Sequence, residues 1–237
     1  MFLSFFDKIY LVWGDLMKKI IAIDGPAGSG KGVIAKKLSK LLNYVYIDTG
    51  ATYRCVALKA IKNNITLEEK DKIIALLDNI NIEFKNEEDK QKVFLDGEDV
   101  TERIRENDVN NIVSPVSSIK EVRFKLVDLQ RKLAEGKNAI MEGRDITTYV
   151  FPNADVKIYL DASMDERAKR RYNQNLEKGI KTSYEDVYEN IQLRDENDKA
   201  KEVGALKIAD DATIIDTTNL TIEEVKNKII ECIKKKM

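Results

Sequence analysis

IIAIDGPAGSGKG, Ile20 to Gly32, decides the fold. Ile20-Ile21-Ala22-Ile23-Asp24 is a short apolar run that stops at a glycine-rich bend, the signature of a strand buried on both faces. Glycines at 25, 28, 30 and 32 let the backbone take positive φ and approach a ligand without a Cβ in the way. From Lys31 onward, Ile34, Ala35, Leu38, Leu41 and Leu42 recur at helical spacing. Strand, glycine bend and helix is the setting in which G-x-x-x-x-G-K cradles phosphate. Successive N–H groups form an anion nest, the helix start adds its positive end, and Lys31 reaches the β- and γ-phosphates. The cradle set is Gly25, Pro26, Ala27, Gly28, Ser29, Gly30, Lys31, Gly32 and Val33. The Ser or Thr that commonly follows the lysine, and ligates magnesium, is absent.

Four more short apolar runs follow: Tyr44 to Ile47, Asn138 to Met141, Val156 to Leu160 and Ala212 to Ile215. Helical segments separate them, which predicts an α/β fold with a five-stranded parallel sheet covered on both faces. The helical segments include Leu67 to Leu77, Val109 to Leu133 with a break near Pro115, two charged helices over about 164–178 and 183–200, and Ile222 to Ile233. The alternating runs at 80–84 and 93–95 predict an inserted β-hairpin. In such sheets ligands gather beyond the carboxyl ends of the strands. Polar residues stand at all five ends: Gly25 onward, Asp48-Thr49, Glu142 to Asp145, Asp161 to Ser163, and Asp216 to Thr218.

The balance of 40 basic and 41 acidic residues gives a net charge of -1, so no global basic field draws nucleic acid. The chain contains no histidine, which removes His triads, His metal sites and imidazole proton shuttles. Chemistry falls to carboxylates, Lys, Arg, backbone dipoles and a bound metal. Cys55 and Cys232 stand far apart, form no ligand spacing, and fit a reducing cytoplasm. The apolar stretch MFLSFFDKIYLVWGDL is interrupted by Asp7 and Lys8, has no basic start, and is too short and charged to span a bilayer. Gly14-Asp15-Leu16-Met17 can be encoded by GGA-GAT-TTA-ATG, a ribosome-binding sequence ahead of a start codon. Translation from Met17 is therefore expected, with residues 1–16 as an extension outside the domain.

Ile140-Met141-Glu142 resembles a Walker-B strand with its acid, so Glu142 is the candidate to order magnesium's water shell. Phosphoryl transfer needs clustered cations around the moving group. Arg54 and Arg144 both follow strand ends that converge on the cradle; Arg123, Arg131, Arg167, Arg170, Arg171 and Arg194 lie in helical sequence.

A GKG ending resembles nucleoside monophosphate kinases, where the metal is held largely through waters; no N-K-x-D guanine-reading motif occurs. IDGPAGSGKG, YIDTGATYR, EGRD, VFPNADVKIYLDAS with ERAKRR, and RDENDKAK together resemble bacterial cytidylate kinases over nearly the whole chain from Met17. The resemblance implies a single kinase domain over 17–237, with a monophosphate-binding insert at about 64–105 and a helical lid at about 164–201. It implies a cytoplasmic monomer that takes small nucleotides, with magnesium as cofactor and no nucleic-acid or membrane partner, and moves the ATP γ-phosphoryl to CMP or dCMP. Thr49 and Arg54 would lie near the acceptor, and Ser114, Arg123 and Asp145 would read cytosine. Arg144 would hold the monophosphate, with Arg194 and Asp198 closing from the lid; Arg167 is assigned to the ATP side. Lys31, Arg144 and Arg194 are the catalytic set. Three places depart from the family pattern. Val33 stands where Thr is usual, Lys201 where Arg is usual, and Gly204-Ala205-Leu206 where A-P-L is usual. Another acceptor, UMP or shikimate, or a noncatalytic nucleotide-binding module, stays open at this level.

Overall fold

The computed structural model describes residues 18–86 and 91–237; the extension expected at 1–16 and the tip of the inserted hairpin lie outside the described residues. Strands β1 (Ile20–Asp24), β2 (Val45–Asp48), β6 (Ala139–Gly143), β7 (Val156–Asp161) and β8 (Thr213–Asp216) form one sheet in the order β2-β6-β1-β7-β8. Every pairing in it is parallel. The order places β1 at the centre, so the bend after Asp24 opens between the ends of β6 and β7.

Side chains alternate across a strand. Ile21 and Ile23 pack on one face with Ile34 and Leu38 of helix α1 (Lys31–Leu42) and Val225, Ile229 and Ile233 of α8 (Ile222–Lys236). Ala22 faces the other way with Met141, Ile47, and Val127 and Ala134 of α5 (Lys120–Ala134). This is the three-layer α/β arrangement with a five-stranded parallel sheet that the apolar runs predict.

Helix α2 (Thr49–Lys62) leaves β2 directly, its first turn capped by Asp48, which accepts from Ala51 N at 3.1 Å. After it come α3 (Lys70–Ala75), a 3-10 turn at Leu76–Asn79, and an antiparallel sheet of β3 (Ile82–Asn86), β4 (Gln91–Leu95) and β5 (Glu98–Asp99). Ile82, Val93 and Leu95 seat this small sheet on α2 and on α4 (Asn107–Ser118) in a core of their own. β5 was not expected from the sequence; two charged residues carry no periodic signal. The helical break also differs from expectation. Pro115 lies inside α4, and the chain turns extended four residues later, at Ile119 (φ -71, ψ 118). Ile119 both ends α4 and precedes the first residue of α5.

Helices α6 (Met164–Glu177) and α7 (Tyr184–Ala200) lie beside the glycine bend, with Ala168, Val187 and Ile191 packed on Ala27. Among the described residues no helix is long and apolar enough to cross a membrane. Both cysteines are free, Cys55 buried and Cys232 half-buried.

Candidate active site

The bend is built as an anion nest. Gly25, Gly28 and Gly30 have φ of 151°, 80° and 91°. A Cβ at Gly25 would strike the Leu160 carbonyl oxygen, and one at Gly28 would come 3.0 Å from the Arg167 backbone. Gly30 precedes α1 with no side-chain cap, so the first N–H groups of that helix are left for a ligand. Lys31 Nζ lies over the bend, donating to the Pro26 carbonyl at 2.6 Å and to Ser29 Oγ at 3.3 Å. Burial first, and the Arg144 charge second, push its ammonium well below the usual lysine value.

Gly32 explains the missing hydroxyl. A Cβ there would stand 2.8 Å from Glu142 Oε1. The carboxylate from β6 thus occupies the space that a serine or threonine side chain would fill. Among the described residues no group of three or more acidic, His or Cys side chains could hold a metal alone. One carboxylate beside a phosphate nest fits magnesium, which keeps most of its waters and takes its other ligands from substrate phosphates. Val33 is 41% exposed.

The other strand ends bring their groups to the same rim. Asp24 is fully buried and accepts from Ile146 N, Thr147 N and Thr147 Oγ1 at 2.9, 2.7 and 2.6 Å. These bonds pin the turn after β6 and so fix Arg144 and Asp145. Thr49 Oγ1 donates to the Glu142 carbonyl at 2.7 Å. Asp48 is paired with Arg105 of the insert at 3.2 Å. Arg144 Nε donates to Asp198 Oδ2 at 2.8 Å, and Lys201 Nζ donates to Asp198 Oδ1 at 2.7 Å. Burial would raise the Asp198 carboxyl, but Arg144, then Lys201 and Arg194, hold it well below the carboxylate range.

Positive charge is in surplus here. Burial, then Arg144 and Arg54, push the Arg194 guanidinium down. Arg54 is pushed down by burial, Asp48 opposing and Arg105 and Arg144 adding to the shift; its Nε is buried without a partner. Guanidinium groups crowded in this way favour an incoming polyanion.

Deeper in, Arg123 is 2% exposed, pairs with Asp145, and lies over the Tyr53 ring at 5.3 Å. Burial raises Asp145 to about 6 against the pull of Arg123. Ser114 Oγ is buried without a hydrogen-bond partner. Gly204, at φ 62°, comes so close that a Cβ would strike both Arg123 and Asp145.

The predicted residues thus include a cradle, a band of Arg54, Arg144, Arg194, Asp198 and Lys201, and the inner pair Arg123–Asp145. Arg167 is differently engaged. It donates to the carbonyls of Ala162 and Ala27 at 3.0 and 2.9 Å and pairs with Asp195, beneath the bend. Asp195 in turn accepts from Ala27 N at 3.0 Å. Asp195, Arg105, Asp24 and Tyr46 were not singled out by sequence reasoning. Asp24 ends a strand at the rim, which was signal enough; Asp195 and Arg105 read as solvated charges until packing is known.

A family profile described as cytidylate kinase matches residues 21–235. The cytidylate kinase of Caldicellulosiruptor saccharolyticus is 53% identical over 216 residues, covering 91% of this chain and 96% of that one. That of Bacillus subtilis is 46% identical over 219 residues, covering 92% and 98%. An uncharacterized protein from Eubacterium ventriosum shares the fold at a TM-score of 0.52 and 14% identity, covering 92% of this chain and 99% of the other. With its glycine nest, its strand-end charges and nearly its whole length in register with these kinases, the chain belongs to the cytidylate kinase family.

Proposed function

We propose that the protein transfers the γ-phosphoryl group of ATP to CMP or dCMP, giving ADP and CDP or dCDP. In this reading the nest from Gly25 to Val33 takes the triphosphate. Arg54, Arg144, Arg194 and Lys201 take the acceptor phosphate, and Ser114, Arg123 and Asp145 take the base. The observation that carries it is the buried Arg123–Asp145 pair beside a surplus of guanidinium charge. A carboxylate there accepts from the exocyclic amine of cytosine and repels the carbonyl that uracil presents.

The reaction needs no general base, because the acceptor phosphate oxygen is already an anion at neutral pH. That oxygen attacks the γ-phosphorus, the bond to the β,γ-bridging oxygen breaks, and ADP leaves with the electron pair. Lys31, Arg144 and Arg194 are the groups to stabilise the charge spread over the moving group. Glu142 is the group to order a magnesium ion's waters; magnesium, when bound, neutralises the β- and γ-oxygens. Residues 64–105 act as the acceptor-binding unit and 164–201 as the lid, whose closure excludes water. We read the protein as cytoplasmic, in keeping with its two free cysteines, and as a monomer.

A coupled assay with CMP, dCMP, UMP, AMP and shikimate tests this. ADP release is expected with CMP and dCMP; turnover of an unrelated acceptor alone, or of none, rejects it.

A further inference from the structure

Tyr46 belongs to no part of the machinery described above. It sits at the third position from the rim end of β2, 4% exposed, with its backbone carbonyl taking a hydrogen bond from Gln91 Nε2 of the insert at 2.5 Å. A core tyrosine in a parallel strand is ordinarily apolar filling whose hydroxyl finds some nearby acceptor. Here the acceptor is Glu142 Oε1, the same oxygen that lies 2.8 Å from the Cβ position of Gly32. The Lys36 ammonium stands 5.7 Å from the centre of the Tyr46 ring, on the side of α1.

We infer that the Tyr46 hydroxyl is the positioning group for Glu142, holding its carboxylate in the space vacated at Gly32 so that it faces the phosphate nest. Glutamate has three rotatable bonds, and nothing in the residue itself selects the rotamer that reaches the cradle. Gly32 makes room for the carboxylate but offers no contact to hold it. Among the described residues Tyr46 gives the one hydrogen bond to the Glu142 side chain. A hydrogen bond to an ionised carboxylate is among the stronger neutral-to-charged contacts and favours the ionised form. Gly32 and Tyr46 therefore act together: one leaves the space, the other holds the carboxyl in it, its hydrogen bond joining Lys31 and Arg144 against the burial and the Asp48 charge that raise Glu142 above the usual carboxylate value. The inference rests on the reading of Glu142 as the residue that orders magnesium's water shell. Outer-shell partners of this kind change metal affinity by about ten- to a hundredfold when removed.

The test measures binding of a nonhydrolysable ATP analogue by calorimetry across a magnesium series, with no turnover. In the wild type the analogue should bind more tightly as magnesium rises. In Tyr46→Phe the magnesium concentration for half of that gain should rise by about tenfold or more. Magnesium-free binding of the analogue, and binding of CMP measured the same way, should stay as they are. Glu142→Gln should show the same shift, and Tyr46→Phe added to it should do nothing further. If Glu142→Gln is shifted but Tyr46→Phe keeps the wild-type magnesium midpoint, the positioning role is wrong. If Glu142→Gln is itself unshifted, the reading of Glu142 fails first and takes this one with it. Should Tyr46→Phe fold poorly, Glu142→Asp carries the test, since the shorter side chain retreats from the hydroxyl; an unchanged midpoint there also overturns the inference.

Discussion

Single residues set the chemistry of this site through space as much as through functional groups. Gly25 has φ 151° and no room for a Cβ before the Leu160 carbonyl. Gly25→Ala should lose roughly 2–4 kcal/mol of stability from strain and collision together. Urea denaturation measures this, and a wild-type midpoint would show that the bend tolerates a side chain. Asp145 sets two opposed pH dependences. Burial raises its carboxyl to about 6, from an ordinary 3.8. The stability it contributes is therefore full below about 4 and is lost as pH rises through about 6. Recognition of an amine needs the ionised form and runs the opposite way. The KM for CMP should climb as pH falls below about 6, while binding of an ATP analogue holds steady. A KM flat from pH 5 to 7 would contradict the role. Lys201 reaches Asp198 as a point charge at 2.7 Å. Lys201→Arg supplies a fork that can grip a carboxylate and a phosphate together, so acceptor KM should fall a few-fold; no gain in KM or turnover argues against that contact.

At the scale of elements, helices α6 and α7 are tied to the glycine bend by one buried ion pair. Arg167 of α6 and Asp195 of α7 pair with each other, and each also bonds the backbone of Ala27. Breaking a buried pair leaves an uncompensated charge. Arg167→Met should cost about 3–5 kcal/mol, and ATP-analogue affinity should fall with it because the bend loses its support. Unchanged denaturation and affinity would mean that the pair is ornamental. The sequence showed these helices but not this clamp. α6 and α7 are charged along most of their length, and a buried Arg–Asp pair looks like any solvated pair until its neighbours are known. The strands were far easier to read, because a strand buried on both faces has to be apolar throughout. The break at Ile119 was not legible either. Proline marked the region, but the turn falls where α5 begins to pack on the sheet, which is a tertiary decision.

For the whole molecule, the legible part is the rim. Parallel topology sends every strand's carboxyl end to one side, so Gly25, Asp48, Glu142 and Asp161 had to meet there before any coordinate was known. Which polar groups then pair is settled by depth. Arg123 and Asp145 are deep and bind each other; Arg144 and Lys201 share Asp198; Arg54, beside Asp48, and Arg194, beside Asp198, stay crowded by other guanidinium groups, a repulsion that an anion relieves. If the buried carboxylate of Asp145 chooses the base, CMP and UMP are told apart there. The most direct measurement is the ratio of kcat/KM for CMP over UMP, in the wild type and in Asp145→Asn. Sites built to hydrogen-bond one group reject its analogue strongly, so the wild type should favour CMP by about a hundredfold or more. Asparagine offers a donor as well as an acceptor, and the preference should largely collapse. Equal use of both nucleotides by the wild type, or a ratio that survives the substitution, would contradict the account.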